Sequence, residues 1–211
     1  MRYFITGTDT DAGKTYVTCL LLEALKKKGR LAVGFKPFCC GTRADAVALL
    51  EASGEGAAID ELNPVWLKTP ASPFAAAMIE GRLLDLESVH EAYHELSHRF
   101  EDVLVEGVGG WEVPLAPTYT AADFADALGL PVIVVVNNKL GALNHTILTV
   151  KNILARGMKC TGLILNHVAE TRDPASISHR LVLQDMFEVP VLGEVLHGET
   201  DGSSLLEALQ Q

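Results

Sequence analysis

The chain has 211 residues, 48% hydrophobic and 21% charged, with a formal net charge of -10. That length suits one sizeable core in a single domain, 1–211, and the composition excludes a disordered chain. The acidic balance argues against nucleic acid, whose recognition needs clustered Lys and Arg. The longest apolar run, 130–136, argues against a membrane span, which needs about 18 residues or more.

In chain order, the apolar stretch 3–6 reads as a buried strand. It runs into Gly7-Thr8-Asp9-Thr10-Asp11-Ala12-Gly13-Lys14-Thr15 and a helix over 14–28. The common phosphate loop is G-x-x-x-x-G-K-[ST], a strand-to-helix turn that cradles phosphate with backbone N–H groups. Here five residues, not four, separate Gly7 from Gly13. The chemical parts remain: N–H groups at a helix start, Lys14 for the β/γ-phosphates and the Thr15 hydroxyl for Mg²⁺. Lys26-Lys27-Lys28 closes the helix and complements its dipole.

A strand over 31–36 ends at Lys36-Pro37, setting a second cation where phosphoryl transfer can use it. A helix over 44–52 carries Asp45 in its first turn, as a metal-binding acid or simply as a favourable N-terminal charge. Thr69-Pro70-Ala71-Ser72-Pro73 is a stiff loop with a capping serine before a helix over 73–80. In the helix 86–99, His90, His94 and His98 share one face, which reads as solvated rather than zinc-binding. The strand 102–106 ends in Glu106, followed by Gly107, Gly109, Gly110 and Trp111. That pattern sets a metal-binding carboxylate at a strand end with backbone close to a ligand. Thr15, Asp45 and Glu106 together suit Mg²⁺, which prefers few carboxylates plus phosphate and water oxygens.

The remainder alternates in the same way: helix 121–128, strand 131–136, helix 143–156, strand 160–166 ending at Asn166, helix 176–187 and strand 191–195. This rhythm predicts an α/β fold, a doubly wound and mainly parallel sheet with helices on both faces, of P-loop NTPase type. Ligands of such sheets bind beyond the carboxyl strand ends, where the Gly7 loop, Lys36, Glu106, Asn137 to Lys139 and Asn166 all fall. The four cysteines form no C-x-x-C pair and are expected to be reduced thiols of a cytoplasmic protein, with no metal at Cys39-Cys40.

These motifs resemble those of the dethiobiotin synthetases, ATP-dependent enzymes of biotin biosynthesis. The family pattern is similar to G-T-D-T-x-V-G-K-T, K-P, a lone Asp, a T/S-S-P loop, V-E-G-A-G-G-W, K-L-G-x-x-N-H and a late Asn. This chain matches in order through the Gly7 loop, Lys36-Pro37, Asp45, Ala71-Ser72-Pro73, Val105 to Trp111, Lys139 to His145 and Asn166. The five-residue loop spacing is itself the family's form. The resemblance implies a cyclo-ligase that joins 7,8-diaminononanoate and CO₂ with ATP and Mg²⁺, through a carbamate and a carbamic-phosphoric anhydride. It implies catalytic roles for Thr10, Lys14 and Lys36, and nucleotide contacts from Asp11, Ala12, Gly13, Lys14, Thr15, Tyr16 and Glu106, with Asn166 reading adenine. Thr15, Asp45 and Glu106 would ligate Mg²⁺. Cys40, Ser72, Pro73, Gly109, Gly110, Leu143 and Asn144 would meet the diamine, the last two from the partner in a homodimer whose active site lies at the interface.

The chain departs from the pattern at Ala12, at Cys40 where serine is usual, at Phe74 where histidine is common, and at Leu196-His197 where proline is frequent. Two alternatives stay open: a paralogue acting on another amine, and a switch-type ATPase. Gly7-Thr8 replaces the early loop lysine of those switches.

Overall fold

Both faces of the central strands are apolar, so helices must cover each side of the sheet. The computed structural model describes residues 1–210. Six strands, β1 (Arg2–Gly7), β2 (Ala32–Phe35), β5 (Asp102–Gly110), β8 (Val132–Asn137), β9 (Cys160–Asn166) and β10 (Val191–Val195), form one parallel sheet. Their order is β10-β9-β8-β1-β5-β2, with the phosphate-loop strand β1 between β8 and β5. Successive side chains point to opposite faces. Ile133 and Val135 therefore join α1 (Lys14–Lys27), α2 (Ala44–Ala52) and α9 (Ser203–Ala208) on one side. Val132, Val134 and Val136 face α5 (Leu86–Arg99), α6 (Ala121–Ala127), α7 (Ala142–Ala155) and α8 (Ser176–Met186) on the other.

Helix α1 shows how sequence sets these layers. Val17, Leu21 and Leu25 recur at helical spacing and are fully buried, each contributing about 1.5–3 kcal/mol through burial. The helix stops at Gly29, whose φ of 71° only glycine adopts freely. The Gly29 N–H donates to Lys26 O and the Arg30 N–H to Leu25 O, closing the end in a Schellman motif.

The structure adds short elements that the sequence pattern does not reveal. A parallel pair, β3 (Phe38–Cys40) and β4 (Val65–Leu67), lies beside α3 (Ile59–Leu62) and α4 (Pro73–Ile79). A hairpin joins β6 (Pro114–Ala116) to β7 (Tyr119–Thr120). Strands and helices this short carry too few repeats for periodicity to show.

Two expectations are corrected. Strand β5 continues to Gly110, so Glu106 is a mid-strand residue paired with Ile5, not a strand-end residue. Beneath the phosphate loop, a Cβ on Gly110 would make only ordinary contact, 3.7 Å from Asp9 Cα, and it is Gly109, with a φ of 59°, whose backbone requires glycine. On α5, His94 and His98 are exposed as expected, but His90 turns inward. Its ring packs 4.7 Å from that of Phe124, and Nε2 lies 3.3 Å from the Tyr119 hydroxyl.

Candidate active site

The extra loop residue is accommodated by backbone handedness. Among the described residues, Asp11 is the only non-glycine with positive φ, at 58°, and Gly13 follows at 85°. Aspartate tolerates the left-handed region better than most residues. The two turns fold five residues into a cradle whose lysine returns to it: Lys14 Nζ donates to Asp9 O at 3.2 Å. Asn166, at the end of β9, ties the far side by donating from Nδ2 to Ala12 O at 2.9 Å. A Cβ on Gly13 would lie 2.0 Å from that nitrogen.

Glu106 organises the floor. Its Oε1 accepts from Thr15 Oγ1 at 2.7 Å and from Lys36 Nζ at 2.5 Å. Lys36, just past β2, also donates to Gly107 O at 3.1 Å and pairs with Asp45 Oδ2 at 3.2 Å. Glu106 is fully buried, yet among the described residues its Oε2 has no hydrogen-bond partner. An unsatisfied buried carboxylate oxygen is costly and points to a missing ligand.

The two lysines differ electrostatically. Burial, then the Lys36 charge, lowers Lys14 to about 8. Burial also opposes the charge on Lys36, but the Glu106 and Asp45 carboxylates outweigh it and hold the ammonium above its ordinary range. Lys36 is therefore a fixed cation, and Lys14 a cation weakened by burial and by its neighbour's charge.

Thr15, Glu106 Oε2 and Asp45 offer hard oxygens suited to Mg²⁺. Among the described residues, no three His, Cys, Asp or Glu side chains gather into a protein-only cage. A cation here would draw most of its shell from phosphate and water.

A cavity of about 730 Å³ collects most of the expected residues: Thr10, Asp11, Gly13, Lys14, Thr15, Lys36, Asp45 and Glu106, with Cys40, Ser72 and Gly109 further along. Ser72 caps α4, accepting from Ala75 N at 3.4 Å, and Pro73 is buried at the first helical position. Burial pushes the Cys40 thiol up to about 11, so it presents a neutral SH group. Tyr16 and Asn166 instead line a second cavity of about 310 Å³ with Val168 and His197. Ala12 is fully buried, and Leu143 and Asn144 border neither cavity. Asn138 is buried, with its amide bonded to His167 and His179, and borders neither cavity. The apolar wall of Phe38, Val108 and Val113 was not expected; Val108 lies within the Val105 to Trp111 motif but was not singled out, and Phe38 and Val113 sit in β3 and the β5–β6 turn, which are too short to show a pattern.

A family model described as an AAA domain matches residues 1–199. The ATP-dependent dethiobiotin synthetase BioD of Akkermansia muciniphila is 45% identical, over 99% of this chain and 100% of its own length. The chain belongs to the dethiobiotin synthetase family. The enzyme of the same name from Aromatoleum aromaticum is 41% identical, over 92% of this chain and 90% of its own. Among solved structures, the septum site-determining protein MinD of Pyrococcus horikoshii, complexed with Mg-ADP, matches with a TM-score of 0.58 at 19% identity. That match covers 99% of this chain and 86% of MinD. Cobyrinic acid a,c-diamide synthase of Mycobacterium smegmatis matches with a TM-score of 0.56 at 16% identity, covering 98% and 90% of the two chains. These likenesses establish the P-loop NTPase fold. It is the family's sequence relatives that set this chain among ligases of biotin synthesis rather than switch ATPases.

Proposed function

We propose that this chain converts 7,8-diaminononanoate, CO₂ and ATP to dethiobiotin, ADP and phosphate, within one domain of 1–211. The observation that carries this reading is the convergence of Lys14, Lys36 and the unpaired Glu106 Oε2 in one cavity with an apolar wall. The polar end suits phosphates and a carboxylated amine, and the apolar wall suits an alkyl chain.

One amine nitrogen bonds the CO₂ carbon and loses a proton, giving a carbamate. A carbamate oxygen then attacks the γ-phosphorus, and ADP departs. The second amine attacks the carbonyl carbon, expels phosphate, sheds a proton and closes the ureido ring. Lys36, held charged by its two carboxylates, stabilises the carbamate and the γ-phosphoryl oxygens. Lys14 and the loop N–H groups, with Thr10 and Asp11 at the rim, orient the triphosphate. Mg²⁺ held by Thr15, Asp45 and Glu106 would neutralise β/γ-phosphate charge. Asn166 and Tyr16 would receive the base in the smaller cavity.

A homodimer fits this reading, because Leu143 and Asn144 border neither cavity of their own chain and would reach substrate from a partner. Exposed apolar side chains on α7 and α8, Leu148, Ile177 and Leu181, suit an interface. No described helix is long and apolar enough to cross a membrane.

The test is phosphate release from ATP, with mass spectrometry of the organic product. Release should require diamine, CO₂ and Mg²⁺ together. Equal turnover without the diamine would favour a switch ATPase instead.

A further inference from the structure

Two residues outside this chemistry grip the cavity wall from behind. The Lys36 backbone is bound on both sides by the 62–65 segment. Its N–H donates to Leu62 O at 2.8 Å, and Asn63 Nδ2 donates to Lys36 O at 2.7 Å. Asn63 Nδ2 also donates to Val65 O at 3.2 Å, while Asn63 Oδ1 accepts from Arg43 Nε at 2.8 Å. Asn63 is fully buried, and its amide is spent on these three bonds. Arg43 Nη2 donates to Asn63 O at 2.8 Å and to Asp60 Oδ1 at 2.7 Å, and the guanidinium lies 5.4 Å over the Trp66 ring. Arg43 immediately precedes α2, and Asp45 is the second residue of that helix.

We propose that Asn63 and Arg43 are positioning residues, a clamp that sets Asp45 against Lys36. The inference rests on the roles given to Asp45 and Lys36 above. Among the described residues, Asn63 is the one side chain that holds the Lys36 main chain and, through Arg43, the start of the helix bearing Asp45. The stretch between them bends at Gly41, whose φ is 78°. Asp45 is itself half exposed, with Lys36 as its ion-pair partner at 3.2 Å. Its place therefore depends on where α2 begins. Lysine cannot replace Arg43, because its four acceptors, Asn63 Oδ1, Asn63 O, Ile59 O and Asp60 Oδ1, are served from two separate nitrogens of a planar fork that an ammonium lacks.

The test uses the full chain and measures product formation against diamine, ATP and Mg²⁺ for Arg43→Ala, Arg43→Lys, Asp45→Asn and the Arg43→Ala/Asp45→Asn pair. Melting temperatures are recorded in parallel. Misplacement by about 1 Å can cost up to about 100-fold. Arg43→Ala should therefore lower kcat at least about tenfold and raise the Mg²⁺ needed for half-maximal rate, with the KM for ATP changed by less than about twofold. Arg43→Lys should not restore the rate. The double variant should lose less than the product of the single losses, because the clamp acts partly through Asp45. Asn63→Ala should show the same split, measured below its own melting midpoint.

A folded Arg43→Ala with normal kcat and Mg²⁺ response would overturn the clamp, and so would multiplicative losses in the double variant. Normal turnover by Asp45→Asn and Lys36→Met would overturn the site assignment itself, a separate failure.

Discussion

Lys14 and Lys36 share a cavity but bear on stability with opposite signs. Burial, with the Lys36 charge second, takes Lys14 from 10.5 to about 8. At about 1.4 kcal/mol per pKa unit, carrying that charge costs the nucleotide-free fold roughly 3 kcal/mol relative to the unfolded chain. Lys14→Met removes the charge, keeps the stem and forfeits the bond to Asp9 O, worth about 1 kcal/mol. The variant should therefore be about 2 kcal/mol more stable at pH 7, a rise of about 4–8 °C in Tm for a chain this size. The folded state holds this proton less tightly than the unfolded chain. Wild-type stability thus rises with pH between about 8 and 10.5, and the variant's advantage is full below that window and gone above it. Urea unfolding without nucleotide at pH 7, 9 and 10.5 reads this directly, and the variant should also lose ATP binding. Lys36→Met should do the reverse, because it strands the buried Glu106 carboxylate at a cost of about 3–5 kcal/mol. A Lys14→Met protein less stable than wild type at pH 7, or one whose advantage persists at pH 10.5, would refute the reasoning.

Three further outcomes are expected. Gly13→Ala must adopt a φ of 85° and displace Asn166, so urea unfolding should show a loss of at least about 1–2 kcal/mol from the left-handed strain, and ATP affinity in a fluorescent-nucleotide titration should fall as the loop shifts. Glu106→Gln should cut product formation about 100-fold and flatten its response to added Mg²⁺ in a rate titration. Ser53→Ala removes the acceptor of the Gly34 N–H at 3.0 Å in a buried site. It should cost about 1–3 kcal/mol in urea unfolding and leave turnover unchanged.

The central sheet is legible in the sequence because its strands are continuous β-branched runs bounded by helices with strong apolar periodicity. Val132 to Val136 and the α1 leucines are the plainest cases. The phosphate loop, Lys36 and Glu106 are legible because their chemistry depends on residue type at fixed spacing. Asn63 and Arg43 are not: an Asn-Pro pair reads as a turn, and only the fold brings it against Lys36 from 27 residues away. The inward turn of His90 is equally hidden, since Tyr119 and Phe124 reach it through tertiary packing. The carboxyl reach of β5 is obscured by glycines, which weaken a strand pattern.

The cavity offers an anion no net attraction: Lys14 and Lys36 are outnumbered by Asp11, Asp45 and Glu106, on a molecule whose net charge is -10. A bare triphosphate approaching this surface meets no long-range attraction, only the short-range pull of the loop N–H groups and one lysine. A nucleotide already carrying a divalent cation would lose much of that handicap, and under the proposed function its cation would meet the Glu106 Oε2 atom on arrival. The same imbalance acts at the end of the cycle. ADP and free phosphate together hold more unshared negative charge than the site can balance, so electrostatics that discriminate at entry also favour departure.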